Sequence, residues 1–204
     1  MDTGSIVSPP APPTAPGPRA NRTIAKIKDA ARQVFLTSGY SGATIDEIAT
    51  LAGVSRASFY TYFTSRRDVL IAVGETSARE ALTHIGSLQQ SAASVEQMSL
   101  WVHDYFQLLD VHGSFAFAWT QAARDDEEVR VVGMRAHLAL CRQMGEELAR
   151  IGNRPPTDAK VLGLAVNSLL ERSWDYATLY DGGIDRLALE NQVARMIWNA
   201  TLPA

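Results

Sequence analysis

Apolar residues recur at intervals of three and four along most of the chain, with polar residues between them, which is the pattern of amphipathic α-helices. Short segments rich in Gly, Pro, Asn or Asp interrupt this pattern. No alternating pattern typical of β-strands competes with it. The sequence therefore predicts an all-α protein. We expect its helices at residues 21–38, 44–52, 56–63, 65–90, 95–111, 114–124, 127–151, 157–180 and 185–202.

Two of these helices, at 44–52 and 56–63, are short and joined by a tight turn. Thr44 and Glu47 have the spacing of a capping box, in which two side chains satisfy backbone N–H groups at a helix start. Gly53 can adopt the left-handed conformation that ends a helix, and Ser55 can cap the next one. The result is a helix-turn-helix arrangement. An ordinary helical hairpin would not need the Arg, Ser, Thr and Tyr residues on the outer side of the second helix.

In a helix-turn-helix unit the second helix enters the major groove of double-stranded DNA and the first crosses the backbone. Arg56, at the leading end of the second helix, is our candidate for contact with a guanine. Tyr60, Tyr62 and Arg66 are assigned to phosphates and positioning. Thr44 is assigned to the backbone from the first helix. The full set of candidate DNA-binding residues is Thr44, Ser55, Arg56, Ser58, Tyr60, Thr61, Tyr62 and Arg66.

Several short motifs lie in register across residues 22–72. They are Gly39-Tyr40, Gly53-Val54-Ser55, Tyr60 in the middle of the second short helix, and Phe63-Thr64-Ser65-Arg66. In these motifs the chain resembles the TetR/AcrR family of bacterial one-component transcriptional regulators. Arg66 departs from the Lys usual in the family, although both can hold a phosphate. The resemblance implies a homodimer with its interface on the helices at 157–180 and 185–202.

The net charge of −3 at first argues against a DNA-binding protein. The charge is unevenly distributed, however. Through Val73 the chain has eight Lys or Arg against five Asp or Glu, and the remainder has eleven against seventeen. Attraction to phosphates therefore belongs to the N-terminal part.

The chain divides into three predicted parts. Residues 1–20 are rich in Pro, Ala, Ser and Gly and predict a flexible arm, whose Arg19, together with Arg22, could either reach a neighbouring groove or remain in solvent. Residues 21–68 predict a helix-turn-helix domain, and residues 69–204 a helical effector-binding and dimerisation domain. The chain has no secretory signal pattern and no apolar stretch of membrane length. With a single cysteine, Cys141, it is expected to be cytoplasmic.

The second predicted domain carries many aromatic residues on its helices. Most such residues form a core. Asn167 and Glu171, however, lie one turn apart within an apolar segment, and a few polar groups in an aromatic chamber are typical of a ligand site. Alternatively, Glu171 pairs with Arg172 or Arg135 and no ligand binds. The candidate residues for a small-molecule effector are Trp101, Tyr105, Phe106, Asn167, Leu170, Glu171 and Trp174.

Catalytic and metal patterns are weak. The four histidines are scattered, and no Ser, His and acid arrangement is visible along the sequence. His137 and Cys141, four residues apart, could supply two metal ligands, but a site needs more. We therefore expect no catalytic residues, no metal and no cofactor.

Together these features predict a ligand-responsive, DNA-binding transcriptional regulator, in the form of a repressor that an apolar or amphipathic effector releases from a palindromic operator. The alternative is a helical small-molecule-binding or catalytic protein whose DNA-binding motif is vestigial. A third interpretation is a DNA-binding protein that senses no ligand.

Overall fold

The computed structural model describes residues 17–113, 115–153, 158–178 and 183–201. Over these residues the chain is all-α, as predicted, and has no strand. The helices are α1 (Pro18–Gly42), α2 (Ile45–Ala52), α3 (Arg56–Tyr62), α4 (Arg66–Gly86), α5 (Val95–His112), α6 (Phe115–Asp125), α7 (Glu127–Ile151), α8 (Ala159–Thr178) and α9 (Arg186–Thr201), with a 3₁₀ turn at Leu88–Ser91 between α4 and α5.

Helix α1 begins three residues earlier than expected. Pro18 occupies its first turn, where the fixed backbone angle of proline suits a helix and the missing N–H is not needed. Residues 18–20 are therefore helical rather than part of a flexible arm, and residues 1–16 lie outside the described part. Helix α1 breaks at Gly39, whose φ of 66° is not helical, and a single turn follows before α2.

Two apolar cores organise the described residues. The first core joins α1, α2, α3 and the start of α4, and its most buried members include Ile27, Phe35 and Phe59. It also takes in Phe115 and Ala118 of α6. We call α1, α2, α3 and the start of α4 the head. Helix α6 packs against it.

The second core lies among the C-terminal end of α4 and helices α5, α7, α8 and α9. We call these helices the body. Met98, Phe106, Met144 and Leu170 are fully buried there. Because α4 contributes Val69 to the first core and Ile85 to the second, it connects head and body as one continuous helix. No helix in the described part of the chain is long and apolar enough to span a membrane.

Candidate nucleic-acid interface and ligand site

The turn between α2 and α3 has the local geometry that the sequence predicts. Thr44 Oγ1 accepts from the N–H of Glu47 at 3.2 Å, and Glu47 Oε2 accepts from the N–H of Thr44 at 2.9 Å. Gly53 ends α2 with φ 66° and ψ 37°, in the left-handed region. Ser55 caps α3 by accepting from the N–H of Ser58 at 3.0 Å. The predicted capping box, turn and second cap are confirmed.

Helix α3 has one buried and one exposed side. Phe59 is fully buried, and Phe63 follows at the end of the helix with its side chain in the same core. On the other side, the structure brings most of the predicted DNA-binding residues onto one surface with the N-terminus of α2. Thr44, Ser55, Arg56, Tyr60 and Thr61 are exposed there, whereas Ser58 and Tyr62 are half-buried. Tyr62 packs partly against the first core, so its ring is less accessible than the sequence pattern suggests.

The Arg56 side chain makes contacts with both motif helices. Its Nη1 donates to Asp46 Oδ1 at 2.6 Å, its Nη2 donates to the hydroxyl of Tyr60 at 3.3 Å, and its guanidinium lies 5.5 Å from the centre of the Tyr60 ring. The hydrogen bond to Asp46 raises the pKa of Arg56, so the side chain stays charged. This end of α3 therefore presents a positive, hydrogen-bonding group beside a flat aromatic ring.

Arg66, at the start of α4, holds the turn between α1 and α2. Its Nη1 donates to the carbonyl oxygens of Ser41 at 3.2 Å and Ala43 at 2.6 Å, and its guanidinium stacks 4.4 Å from the centre of the Tyr40 ring. Sequence reasoning assigned Arg66 to a phosphate, and that assignment stays a prediction. The structure gives it an intramolecular role that no local pattern could show.

The body contains the polar group on which the predicted ligand site depends. The Tyr105 hydroxyl donates to Asn167 Oδ1 at 2.8 Å, while the buried Nδ2 of Asn167 is without a hydrogen-bond partner among the described residues. Burial raises the pKa of Glu171, and the charge of His137 and the neighbouring Asn167 amide act in the opposite direction. Arg172 pairs with Asp175 at 3.2 Å. The structure therefore does not contain the Glu171–Arg172 pair that the alternative predicted.

The other predicted effector residues pack in the second core. Trp101 stacks on Tyr105 with ring centres 5.4 Å apart, and the indole N–H of Trp174 donates to Asp110 Oδ1 at 2.8 Å. Phe106 and Leu170 are fully buried beside them. A cavity of about 690 Å³ lies instead on the open side of α8, lined by residues that include Leu169, Glu171, Tyr176 and Leu189. Of the predicted effector residues, Glu171 borders this cavity.

A partly buried ionic network, which the sequence did not reveal, joins α5, α8 and α9. Arg186 donates two hydrogen bonds to the carboxylate of Asp110, at 2.9 and 2.8 Å, and a third to Glu190 Oε1 at 2.8 Å. Glu190 is 2% exposed and also lies 2.8 Å from Nδ1 of His103. Burial acts to raise the pKa of Asp110, but the hydrogen bonds from Arg186 and Trp174 outweigh it and hold that pKa below its ordinary value. The i,i+4 spacing of Arg186 and Glu190 was the one local signal.

One further cluster corrects the sequence analysis. Ser77 Oγ lies 2.9 Å from Nδ1 of His112, and His112 Nε2 lies 2.7 Å from Glu80 Oε2, so a Ser, His and acid arrangement does exist in space. It joins α4 to the end of α5. Neither this cluster nor the pair of His137 and Cys141 belongs to a set of three metal-ligating side chains, among the residues that the structure describes.

Residues 27–73 match the family described as "Bacterial regulatory proteins, tetR family". The helix-turn-helix part of the chain is thus of the TetR type. The HTH-type transcriptional regulator SrpR of Pseudomonas putida is 46% identical over 54 residues, which span 26% of this chain and 25% of SrpR. That match spans only about a quarter of the length of either chain.

Solved structures extend the likeness to the whole fold. The fatty acid degradation regulator FadR from Bacillus halodurans has a TM-score of 0.70 and 24% identity, covering 91% of this chain and 97% of its own. FadR from Bacillus subtilis, in complex with stearoyl-CoA, has a TM-score of 0.66 and 21% identity, covering 86% and 98%. At these identities the likeness shows the fold alone.

Proposed function

We propose that this protein is a TetR-family regulator: a homodimeric, DNA-binding transcriptional repressor that a small apolar or amphipathic effector releases from its operator. The observation that carries the proposal is the capped helix-turn-helix, with Arg56 and Tyr60 together on the exposed end of α3. In that arrangement an arginine can read a base edge while a neighbouring hydroxyl meets the phosphate backbone. Such a protein works where bacterial DNA lies, in the cytoplasm.

The exposed surface of α8 and α9 supports a dimer. Val161, Leu164 and Tyr176 of α8 and Leu187 and Met196 of α9 are between 42% and 65% exposed. Large apolar side chains exposed on two neighbouring helices are typical of a surface that a partner covers. A two-fold dimer presents two α3 helices, which matches the symmetry of a palindromic operator.

The polar group in the body supports a ligand. Asn167 Nδ2 is buried and makes no hydrogen bond of ordinary geometry, and the neighbouring Glu171 is a half-buried carboxylate without a Lys or Arg partner in the part that the structure describes. Buried groups of this kind are costly unless something satisfies them. An amphipathic molecule with an apolar body, an acceptor for the Asn167 N–H and a donor for the Glu171 carboxylate would do so beside Trp101 and Tyr105. The stearoyl-CoA bound by the FadR structure supports this ligand class.

The test is selection of DNA duplexes from a random pool, followed by footprinting of the selected site. A regulator of this kind should protect two half-sites whose centres are about 34 Å apart, or a multiple of that distance. Binding should persist at roughly 150 mM salt on the selected site and not on random duplex. A vestigial motif would select no sequence, and turnover of a small molecule would favour the catalytic alternative.

The effector part has its own test. Acyl-CoA thioesters and uncharged aromatic compounds can be screened for an increase in the thermal stability of the protein. Compounds that bind should then weaken binding to the selected duplex, because coupling between two sites is reciprocal. A compound that stabilises the protein and leaves DNA affinity unchanged would contradict the sensor role.

A further inference from the structure

The single helical turn after Gly39 forms hydrogen bonds with side chains from two distant helices. The first N–H groups of a helical turn have no acceptor within it. Here the N–H groups of Tyr40 and Ser41 both donate to Oε1 of Gln121, at 2.7 and 3.3 Å, from α6. At the other end of the turn, Arg66 satisfies the carbonyl oxygens of Ser41 and Ala43. Both ends of the turn are thus capped from outside the segment.

The orientation of the Gln121 side-chain amide and the space around it are both constrained. Two N–H donors point at one side-chain atom, so that atom must be the amide oxygen rather than the nitrogen. Gly39 makes room for it, since a Cβ at this residue would lie 2.9 Å from Gln121 Oε1. The positive φ of Gly39 also turns the chain toward α6.

Helix α6 is itself fixed against the rest of the protein by Trp119. The ring of Trp119 fills a slot between Gly74 of α4 and Gly133 of α7, where a Cβ on either glycine would overlap the indole. Trp119 and Gln121 are two residues apart on the same short helix. The location of the Gln121 amide is therefore set by α4 and α7, which run into the body.

The turn that Gln121 caps leads directly into Thr44, the exposed residue that caps α2 and that we assign to the DNA backbone. We propose that Gln121 is a positioning residue for DNA binding: from α6, it fixes the backbone at Tyr40 and Ser41 and so sets the place of the N-terminus of α2 on the DNA backbone. This inference rests on the proposed function. It adds a residue about 80 positions away in sequence, outside the helix-turn-helix.

Two substitutions of Gln121 test this role. In Gln121→Met the side chain keeps its length and loses its acceptor, whereas in Gln121→Glu a carboxylate oxygen can still accept from both N–H groups. Gln121 is exposed, so neither change should disturb the core. We expect Gln121→Met to bind the selected duplex about tenfold more weakly, with an unchanged melting temperature and an unchanged base preference. Gln121→Glu should bind more tightly than Gln121→Met, and within about twofold of the wild type at a salt concentration that screens its added charge.

Amide hydrogen exchange at Tyr40 and Ser41 supplies the second readout. Protection should fall in Gln121→Met and be retained in Gln121→Glu. Weaker binding in both variants, or normal binding in Gln121→Met despite lost protection, would overturn the positioning role while leaving the proposed function intact. If the wild type selects no DNA sequence, the proposed function fails and this inference fails with it. If Gln121→Met does not fold, Gln121→Asn takes its place. The Asn side chain is one methylene shorter, so its amide oxygen cannot reach the N–H groups of Tyr40 and Ser41, and the expected results are the same.

Discussion

Arg56 Nη1 donates to Asp46 Oδ1 across 2.6 Å, so the arginine at the leading end of α3 is held by a carboxylate from α2. Both side chains are more than half exposed. Exposed ion pairs contribute little to stability, because water and salt screen them. If Arg56 reads a guanine as proposed, it can exchange Asp46 for the base edge at little cost, and Asp46 then competes for Arg56.

The first prediction follows from this exchange. Arg56→Ala should weaken binding to the selected duplex roughly tenfold or more and relax the preference at one base position in each half-site. Asp46→Asn is the matched variant: it removes the competing charge and a negative group near the phosphates, so binding should be unchanged or tighter. Binding titrations and repeated selection measure both effects. An Arg56→Ala protein that selects the wild-type sequence would show that Arg56 reads no base.

The second prediction concerns the dimer. Leu187 of α9 is 62% exposed, and a charge placed there would be buried without a partner if a second copy covers the surface. Leu187→Glu should therefore convert a dimer into a folded monomer, as measured by sedimentation equilibrium with circular dichroism as the folding check. Leu51→Glu is the control, because Leu51 is 52% exposed on α2, away from α8 and α9. Equal masses for Leu187→Glu and wild type would place the interface elsewhere.

The third prediction concerns the network around Arg186. Arg186→Ala leaves the carboxylate of Glu190, which is 2% exposed, with His103 alone, and it also removes the bidentate partner of Asp110. Leaving the buried Glu190 carboxylate without its arginine should lower the free energy of unfolding by roughly 2 kcal/mol, since the exposed Asp110 adds little. Arg130→Ala, which removes an exposed pair with Glu127 on α7, should cost less than about 0.5 kcal/mol. Urea denaturation of both variants measures the difference, and equal losses would show that the network contributes no more than a surface pair.

Much of the head could be predicted from sequence because its determinants are local. Thr44 caps the N–H of a residue three positions away, and Gly53 ends α2 by its own backbone freedom. These relationships repeat in many proteins at the same spacing, so reading them needs no tertiary structure. The recurrence of apolar residues at intervals of three and four likewise located the helices to within a few residues.

The contacts that could not be predicted join residues far apart along the chain. Gln121 meets the turn after Gly39 across about 80 residues, and Arg186 meets Asp110 across 76. Neither pair has a spacing that a pattern could reveal. Ser77 and His112 were missed for the same reason. The sequence indicated Asn167 and Glu171 together, since they are one turn apart on the same helix. It could not indicate their neighbours on other helices, which are Tyr105 of α5 and His137 of α7.

The last prediction uses Glu171. Burial raises the pKa of this carboxyl above its ordinary value, so the folded state binds a proton more readily than the unfolded state does. As pH rises from the ordinary carboxyl range through the raised pKa, the folded state must give up that proton, and stability is lost. Glu171→Gln removes this titration. It should therefore melt at a higher temperature than the wild type at neutral pH.

The difference in melting temperature between Glu171→Gln and the wild type should shrink as pH falls. It should disappear below the ordinary carboxyl pKa, where both side chains are uncharged. Thermal melts at a series of pH values measure it. The control is Glu146→Gln on α7, whose carboxylate is substantially exposed and forms only a long pair with Arg142, 3.9 Å apart, so its melting temperature should follow that of the wild type. A Glu171→Gln gap that is absent or independent of pH would mean that Glu171 is well satisfied as a carboxylate. The argument that a ligand is needed to satisfy it would then fail.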